Sequence, residues 1–195
     1  LSDLSRYIVH RCFHELSALW QFHQVHHSAT DLTPMTLYRL HPIEIVILEV
    51  RRSLVIGLTS GFFLYWFRGD LNSFDMLGIN IFGFLFNLTG ANLRHSQTWL
   101  SYGRFIERIF ISPAQHQIHH SSAPIHSNKN YGSCLAIWDS LGKSLVLARK
   151  PEKLTYGISG EPNEVHPTAA SALLSPFKKL FRLTVPANNK LSTNK

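Results

Sequence analysis

Histidines at two fixed spacings constrain this chain more than any other feature of its sequence. His10 and His14 are four residues apart, and His23, His26 and His27 follow within the same 18 residues. On a helix, residues three or four apart lie on one face, so each set can converge on one point. Neutral imidazole is the commonest metal-ligand side chain. The spacing therefore predicts a metal site on the first helical segment.

The three-histidine spacing occurs a second time, as His116, His119 and His120. Repetition of this pattern in a chain of 195 residues argues against scattered core or surface histidines. Residues 4–28 contain no Gly or Pro and predict a helix. At roughly 100° per residue, the first pair and the later trio point to nearly opposite sides of a straight helix. If both sets serve one site, the helix must bend or break, most plausibly around residues 17–20.

The number of histidines exceeds what one metal needs, since catalytic zinc takes three protein ligands and a water. The count therefore favours two metals. Imidazole suits iron as well as zinc, and activating O2 needs a redox metal with open coordination positions. The ligands alone leave open a lipid oxygenase, a membrane zinc-dependent hydrolase, and a metal transporter or structural metal protein. A transporter should carry ionisable residues within its membrane helices, and the two long apolar runs of this chain, residues 53–67 and 76–93, carry no Lys, Arg, Asp or Glu.

The charge balance favours a membrane surface as partner. Lys and Arg number 19 against 12 Asp and Glu, giving a net charge of +7, which suits either nucleic acid or an anionic membrane face. No recognised nucleic-acid-binding motif accompanies the charge, so we expect no nucleic-acid partner. Cys12 and Cys134 form no CxxC motif, which fits a reducing compartment and argues against thiolate ligation.

Two uncharged, apolar runs, residues 53–67 and 76–93, predict a transmembrane hairpin. As helices they cover roughly 22 and 27 Å, against a hydrocarbon core of about 30 Å, so the first is short unless residues 45–50 extend it. Arg51 and Arg52 precede the first run, and Arg94, Arg104 and Arg108 follow the second. By the positive-inside rule, both outer ends and both histidine sets face the cytoplasm. The alternative is a pair of buried helices in a soluble protein.

The remaining segments predict a domain boundary near residue 150. Residues 1–150 hold the histidines, and we expect 151–195 to be a C-terminal extension. Within it, residues 175–182 form either a basic interfacial helix or a solvated tail, and 190–195 are expected to be disordered. His126 and His166 are expected to be ordinary surface histidines. Because the chain begins Leu1-Ser2-Asp3, we expect a fragment that lacks upstream membrane helices.

Several blocks of residues together resemble the fatty acid hydroxylase/sterol desaturase superfamily. In order, they are Tyr7-x-x-His10-Arg11-x-x-His14, Leu19-Trp20-x-Phe-His23-x-x-His26-His27-Ser28, Arg39-x-His41-Pro42-x-Glu44, His116-x-x-His119-His120, and Asn130-Tyr131-Gly132 followed by Trp138-Asp139. The resemblance covers residues 3–142, and the ending around residues 156–177 is similar to that of bacterial-type members.

The resemblance implies an all-α, integral membrane enzyme with a cytoplasmic, histidine-rich helical cap. Such enzymes use two iron ions, O2 as co-substrate and supplied electrons to hydroxylate or desaturate membrane lipids. The chain has no recognisable haem or flavin domain, so a separate reductase or small redox carrier is expected as partner. The membrane would be the bacterial inner membrane or the endoplasmic reticulum. Which lipid is oxidised, and whether to an alcohol or an alkene, stays open.

The resemblance also implies the metal ligands. Carried over by motif, they are His10, His14, His23, His26, His27, His95, His116, His119 and His120. His95 stands where the hydroxylase branch offers a histidine pair, so Asn92, His41 or water would complete the second metal. Asn130 is expected to form a turn packed on the site, and Asp139 or Glu44 could orient ligand imidazoles through their second N–H group.

Overall fold

The computed structural model describes residues 1–67, 92–161 and 164–184, and within these ranges the chain is helical. Its β-structure there is limited to two isolated bridges, Phe110 with Leu135 and Ser121 with Tyr156, so the all-α expectation is confirmed. The α-helices are α1 (Ser2–Glu15), α2 (Ser17–His27), α3 (Pro42–Trp66), α4 (Asn92–Arg94), α5 (Gly103–Ile106), α6 (Pro113–His120), α7 (Ile137–Leu141) and α8 (Ala169–Thr184). Two 3-10 helices span Pro34–Tyr38 and Pro124–His126.

The first helical segment breaks at Leu16, one residue before the predicted interval. Leu16 is extended, with φ −94° and ψ 113°, although its N–H still bonds the Cys12 carbonyl at 3.0 Å. The chain therefore changes direction between α1 and α2, which pack against each other. The break turns the histidines of α1 and α2 toward the same space, which one straight helix could not do.

Helix α3 begins where the sequence predicts, with Pro42 in its first turn. Pro lacks the N–H that would be unsatisfied there, and His41 caps the helix by accepting the Ile43 N–H on Nδ1 at 3.1 Å. Arg51 on α3 donates hydrogen bonds to the Ser2 carbonyl and the Ser5 hydroxyl on α1.

The transmembrane expectation finds no support in the described helices. None of them, in the ranges that the structure covers, is both long and apolar enough to cross a membrane. Residues 76–91 of the second apolar run, and the turn at 68–75 that was expected to join the two runs, lie outside the described residues.

Helix α6, which carries the second three-histidine set, is fixed at its N-terminus by a capping box. The Ser112 hydroxyl accepts the Gln115 N–H at 3.2 Å, and the Gln115 side chain accepts the Ser112 N–H at 2.9 Å. The buried Glu107 carboxylate accepts the Ser112 hydroxyl and the Ala148 N–H. Capping satisfies backbone donors that a helix leaves unpaired. These contacts set the position of a helix whose every residue is buried.

The loop between α6 and α7 is held by one buried carboxylate. Asp139 accepts the N–H groups of Tyr131 and Gly132 at 2.8 and 2.7 Å and the Ser144 hydroxyl at 2.6 Å. Asn130 adopts a left-handed conformation, with φ 54°, which Asn tolerates better than most residues. The loop is thereby held over the end of α6.

The C-terminal segment packs on α2 through α8. The Phe177 and Phe22 rings are 5.4 Å apart, and Lys179 donates to the Gln24 side chain at 2.9 Å. Residues 175–182 are thus helical and packed on α2, so they do not form a solvated tail. The division at residue 150 stays a prediction, and residues 190–195 lie outside the described part of the chain.

His126 and His166 are buried, so the expectation of ordinary surface histidines is wrong. His166 is 2% exposed and His126 8%. The Ser175 hydroxyl lies 2.8 Å from His166 Nδ1, and Arg39 donates to the His166 carbonyl at 2.6 Å. His126 Nε2 is 3.7 Å from the Glu152 carboxylate. Because these partners lie nine or more residues away along the chain, the residues flanking each histidine gave no sign of burial.

Candidate metal centre

The structure brings the nine histidines that the sequence singled out into two groups. Within each group, one ligand atom per residue can be chosen so that all lie within 4.8 Å of one another. The five-histidine group is His10, His14, His23, His27 and His119, and the four-histidine group is His26, His95, His116 and His120. Each group combines residues from distant segments, and α2 and α6 contribute to both.

Oxygen acceptors fix the ring orientations in the five-histidine group. His10 Nδ1 lies 2.7 Å from the Tyr131 carbonyl, and His119 Nδ1 lies 2.7 Å from the Lys129 carbonyl. His23 Nδ1 lies 2.8 Å from the buried Glu44 carboxylate. A carbonyl or carboxylate can only accept, so Nδ1 carries the hydrogen in each ring. Nε2 is then left with a free lone pair for a metal.

In the four-histidine group, Thr36 performs the same role for His95. The Thr36 hydroxyl donates its single proton to the Thr33 carbonyl at 2.7 Å, so it accepts from His95 Nδ1 at 2.9 Å. His95 Nε2 consequently has a lone pair, and it lies 3.1 Å from His116 Nε2. His26 Nδ1 is 3.3 Å from the Arg39 carbonyl, a longer contact.

The two groups are neighbours within one buried cluster. The His27 and His120 rings, one from each group, are stacked with centroids 4.2 Å apart. His26 and His120 are 4.7 Å apart, centroid to centroid. Two ions held by these groups would therefore lie side by side.

Burial keeps eight of these nine imidazoles neutral. Desolvation is the largest cause, and it lowers the pKa of His119 to about 3 and that of His95 to about 4, with Arg94 adding to the effect at His95. The pKa values of six other cluster histidines fall well below the usual value for the same main reason: His10, His14, His26, His27, His116 and His120. Only the neutral ring binds a metal.

Unpaired buried nitrogens show that the donor set suits metal ions. Among the described residues, no hydrogen-bond partner exists for Nε2 of His14, His23, His27, His119 and His120. Burying a polar atom without a partner costs about 1–3 kcal/mol, and several in one cluster would be a large unexplained cost. A metal ion in each group removes it, because each lone pair then has a partner.

His41, Asn130 and Asp139 lie outside the two groups. His41 uses Nδ1 as the α3 cap and has Nε2 3.2 Å from the Leu173 carbonyl. Asn130 donates to the Gln115 carbonyl and accepts the Val146 N–H. Asp139 reaches the site indirectly, because the Tyr131 segment it holds supplies the carbonyl that meets His10. The Asn92 side chain lies outside what the structure describes.

Sequence reasoning missed three features of the site. The backbone carbonyls of Lys129 and Tyr131 carry no side-chain signal, and Thr36 stands in no histidine motif. The buried Tyr131 ring is 5.1 Å from the His14 ring, centroid to centroid. Its hydroxyl has no hydrogen-bond partner among the described residues, and burial raises the pKa of Tyr131 above its usual value.

A cavity of about 440 Å³ reaches both histidine groups. Its lining includes His27 and His119 of the five-histidine group and His120 of the four-histidine group. Trp20 stands at its wall, with its ring 5.6 Å from that of His27. A small molecule or part of a larger one can therefore approach the space between the two groups.

Comparison with known proteins points in the same direction. A family model described as fatty acid hydroxylase matches residues 1–144. Ornithine lipid hydroxylase OlsE from Rhizobium tropici is 29% identical over 182 residues, which are 93% of this chain and 50% of that protein. Alkylglycerol monooxygenases from Xenopus tropicalis and Homo sapiens are 28% and 27% identical over 165 residues, 85% of this chain and 33% of each. The chain thus spans half or less of these relatives. No solved structure matches it.

Proposed function

The chain belongs to the fatty acid hydroxylase family, and on that premise we propose that it hydroxylates a membrane lipid with O2 at a centre of two iron ions. The similar proteins support an oxidoreductase that acts on a lipid, since their names are those of a lipid hydroxylase and of monooxygenases. None of the names reported above is that of a desaturase, so hydroxylation is the better supported of the two outcomes. The membrane setting, with the site on the cytoplasmic face, belongs to the same proposal.

The pairing of two adjacent, all-histidine groups carries this proposal. One iron would be held by His10, His14, His23, His27 and His119, and the other by His26, His95, His116 and His120. Two irons bound there would supply the redox chemistry that activates O2. A catalytic zinc site needs three protein ligands, so a zinc hydrolase would leave most of these histidines without a role.

The protein's own residues would position the centre and control access to it. Burial holds eight of the nine imidazoles neutral, and Glu44, Thr36 and the backbone carbonyls orient rings so that the free lone pair is on Nε2. The cavity beside Trp20 admits the reacting part of a lipid, and its lining includes Ala123 and Pro124 as well as serines. A separate reductase or small redox carrier would supply electrons, as the sequence also predicts.

Incubation of the full-length enzyme and its membranes under 18O2 tests the proposed reaction. Lipid mass spectrometry should find a product that has gained one 18O atom, because a monooxygenase transfers one atom of O2 to its substrate. His120→Ala should abolish the product. His126→Ala should retain it, because His126 is buried like His120 but belongs to neither group.

The same experiment distinguishes the proposed oxygenase from the alternative, a zinc-dependent hydrolase. A product whose new oxygen comes from labelled water, formed without O2 and with zinc bound, would contradict the oxygenase. A lipid product that has lost two hydrogens without gaining oxygen would show that the reaction is desaturation and not hydroxylation.

A further inference from the structure

Three arginines mark a second polar surface, separate from the metal centre. Arg104 and Arg108 flank the end of α5, and Arg149 lies on the segment that follows α7. All three are exposed. Within the part of the chain that the structure describes, none of them is paired with a carboxylate. A guanidinium group binds carboxylate and phosphate groups in a bidentate manner, so three arginines without a carboxylate partner on one surface indicate a site for an anion.

Two adjoining grooves run between these arginines. One has a volume of about 480 Å³ and contains Arg104, Arg108 and Arg149 in its lining. The other, of about 650 Å³, again contains Arg108 and Arg149, with the buried His126 and the hydroxyl of Ser140. Because two arginines line both grooves, a single anionic group between them could contact both guanidinium groups.

Two acidic residues line these grooves, Glu107 and Glu152. Glu107 lines the first groove, but its carboxylate is buried and accepts hydrogen bonds from Ser101 and Ser112. Glu152 lines the second groove, with its carboxylate 3.7 Å from His126 Nε2. Three arginines against these two acids leave a net positive surface.

Large apolar side chains alternate with the arginines along the same segment. Phe105 is 76% exposed, Ile106 52%, Ile109 47% and Phe110 44%. Water-exposed Phe and Ile in a row are unfavourable for a surface that faces only solvent. Aromatic and aliphatic side chains interleaved with cationic ones are typical of segments at a lipid interface, where the apolar groups enter the acyl region and the arginines meet headgroups.

We propose that Arg104, Arg108 and Arg149 bind the phosphate groups of anionic phospholipids, with Phe105, Ile106, Ile109 and Phe110 in the adjoining acyl region. The phosphodiester matches the planar guanidinium donors, and the anionic leaflet attracts positive charge. An acidic protein partner would match the arginines but leave the protruding Phe and Ile side chains without an apolar environment. The surface would hold the enzyme at a fixed depth and orientation in the membrane.

A nitroxide on the Phe105→Cys variant, with Cys12 and Cys134 replaced by Ser, reports the depth of this segment. The full-length protein is placed in nanodiscs of phosphatidylcholine alone or of equal parts phosphatidylcholine and phosphatidylglycerol. In the anionic discs the nitroxide should lie below the phosphate plane, and it should be shallower in phosphatidylcholine. Equal depth in the two lipids would overturn the proposal. So would a nitroxide that stays in water in both and is immobilised only when an acidic ferredoxin is added.

A matched pair of charge variants tests the arginines themselves. The full-length protein is extracted from membranes containing both lipids, and the ratio of phosphatidylglycerol to phosphatidylcholine that copurifies is measured. The double variant Arg108→Gln, Arg149→Gln should lower that ratio by roughly tenfold to thirtyfold. The control Lys143→Gln, Lys153→Gln removes the same charge from exposed sites and should leave it unchanged. Equal ratios for the two variants would overturn the assignment. Neither readout depends on activity, so failure here would leave the proposed reaction standing.

Discussion

Where an imidazole has a hydrogen-bond acceptor, that acceptor determines which ring nitrogen is free for a metal. In the five-histidine group, His23 is paired with the buried carboxylate of Glu44, whereas His10 and His119 meet backbone carbonyls. When the second ring N–H bonds a carboxylate, the metal-binding nitrogen becomes more basic, and binds a metal more strongly, than when it bonds a carbonyl. His23 should therefore contribute more to holding its metal than its position in the group alone would suggest.

Replacing Glu44 tests this role. Glu44→Ala leaves the His23 N–H buried without an acceptor, and metal affinity should fall about 10- to 100-fold. Glu44→Gln keeps an oxygen acceptor and should lose less. Metal retention during titration with a chelator measures the effect. Glu49→Ala, on the same helix but exposed and paired with Arg52, is the control, and an equal loss in both alanine variants would refute the role.

The sequence indicated the candidate metal ligands and one of the groups that orient them, Glu44. Spacing indicated eight of these histidines and the family resemblance indicated His95, and the structure brings the same nine into two groups. The acceptors were beyond prediction where they are backbone carbonyls, because any residue type can supply one. His41 stood in the right motif, yet the helix start at Pro42 uses its Nδ1 as a cap.

At the level of elements, two short irregular segments position the histidines of the site together with the helices. The break at Leu16 turns α1 and α2 toward one centre, and the loop from Asn130 to Gly132 brings the Tyr131 carbonyl to His10. The sequence predicted the need for a break because of helical geometry. It could not fix the residue, since 15–17 contain no Gly or Pro.

Gly132 should tolerate no side chain. A Cβ atom there would lie 2.7 Å from the Asp139 carboxylate and 2.8 Å from the Leu135 carbonyl. Gly132→Ala should therefore destabilise the fold by about 1–3 kcal/mol, the usual cost of overpacking, and disturb the carbonyl at His10. Thermal unfolding measures the first effect and metal retention the second.

Gly61→Ala provides the matched control. Gly61 lies within α3, and nothing would come within 4 Å of its Cβ. Alanine is favoured over glycine in a helix by up to about 1 kcal/mol, so this variant should be as stable as the native chain or more so. Equal stability of the two variants would mean that the loop is not packed as described.

At the scale of the whole molecule, the buried histidines make the metal-free fold sensitive to acid. His119 and His95 have pKa values of about 3 and about 4 in the folded chain, against 6.5 normally. Between these limits the unfolded chain binds protons that the folded chain does not. Stability is therefore fully present above about pH 6.5 and is lost as pH falls toward 4 and 3.

Thermal unfolding of the metal-free protein from about pH 7.5 to about pH 5 checks this sign. The midpoint should fall steadily on acidification, because each proton excluded from the fold costs about 1.4 kcal/mol per pH unit. Bound metal should shift the loss to lower pH, since protons must then also displace the ion. A midpoint that does not change over this range would contradict the neutral, buried cluster.

The amount of iron per chain tests the central claim most directly. Full-length protein purified without O2 from iron-replete cells should hold close to two irons per chain, one for each histidine group. His95→Ala should hold about one, because the four-histidine group loses the ring that faces His116. Aerobic preparations are unsuitable, since zinc displaces Fe(II) from such ligands. One tightly bound zinc with no iron in the native protein, or two irons retained by His95→Ala, would contradict the account.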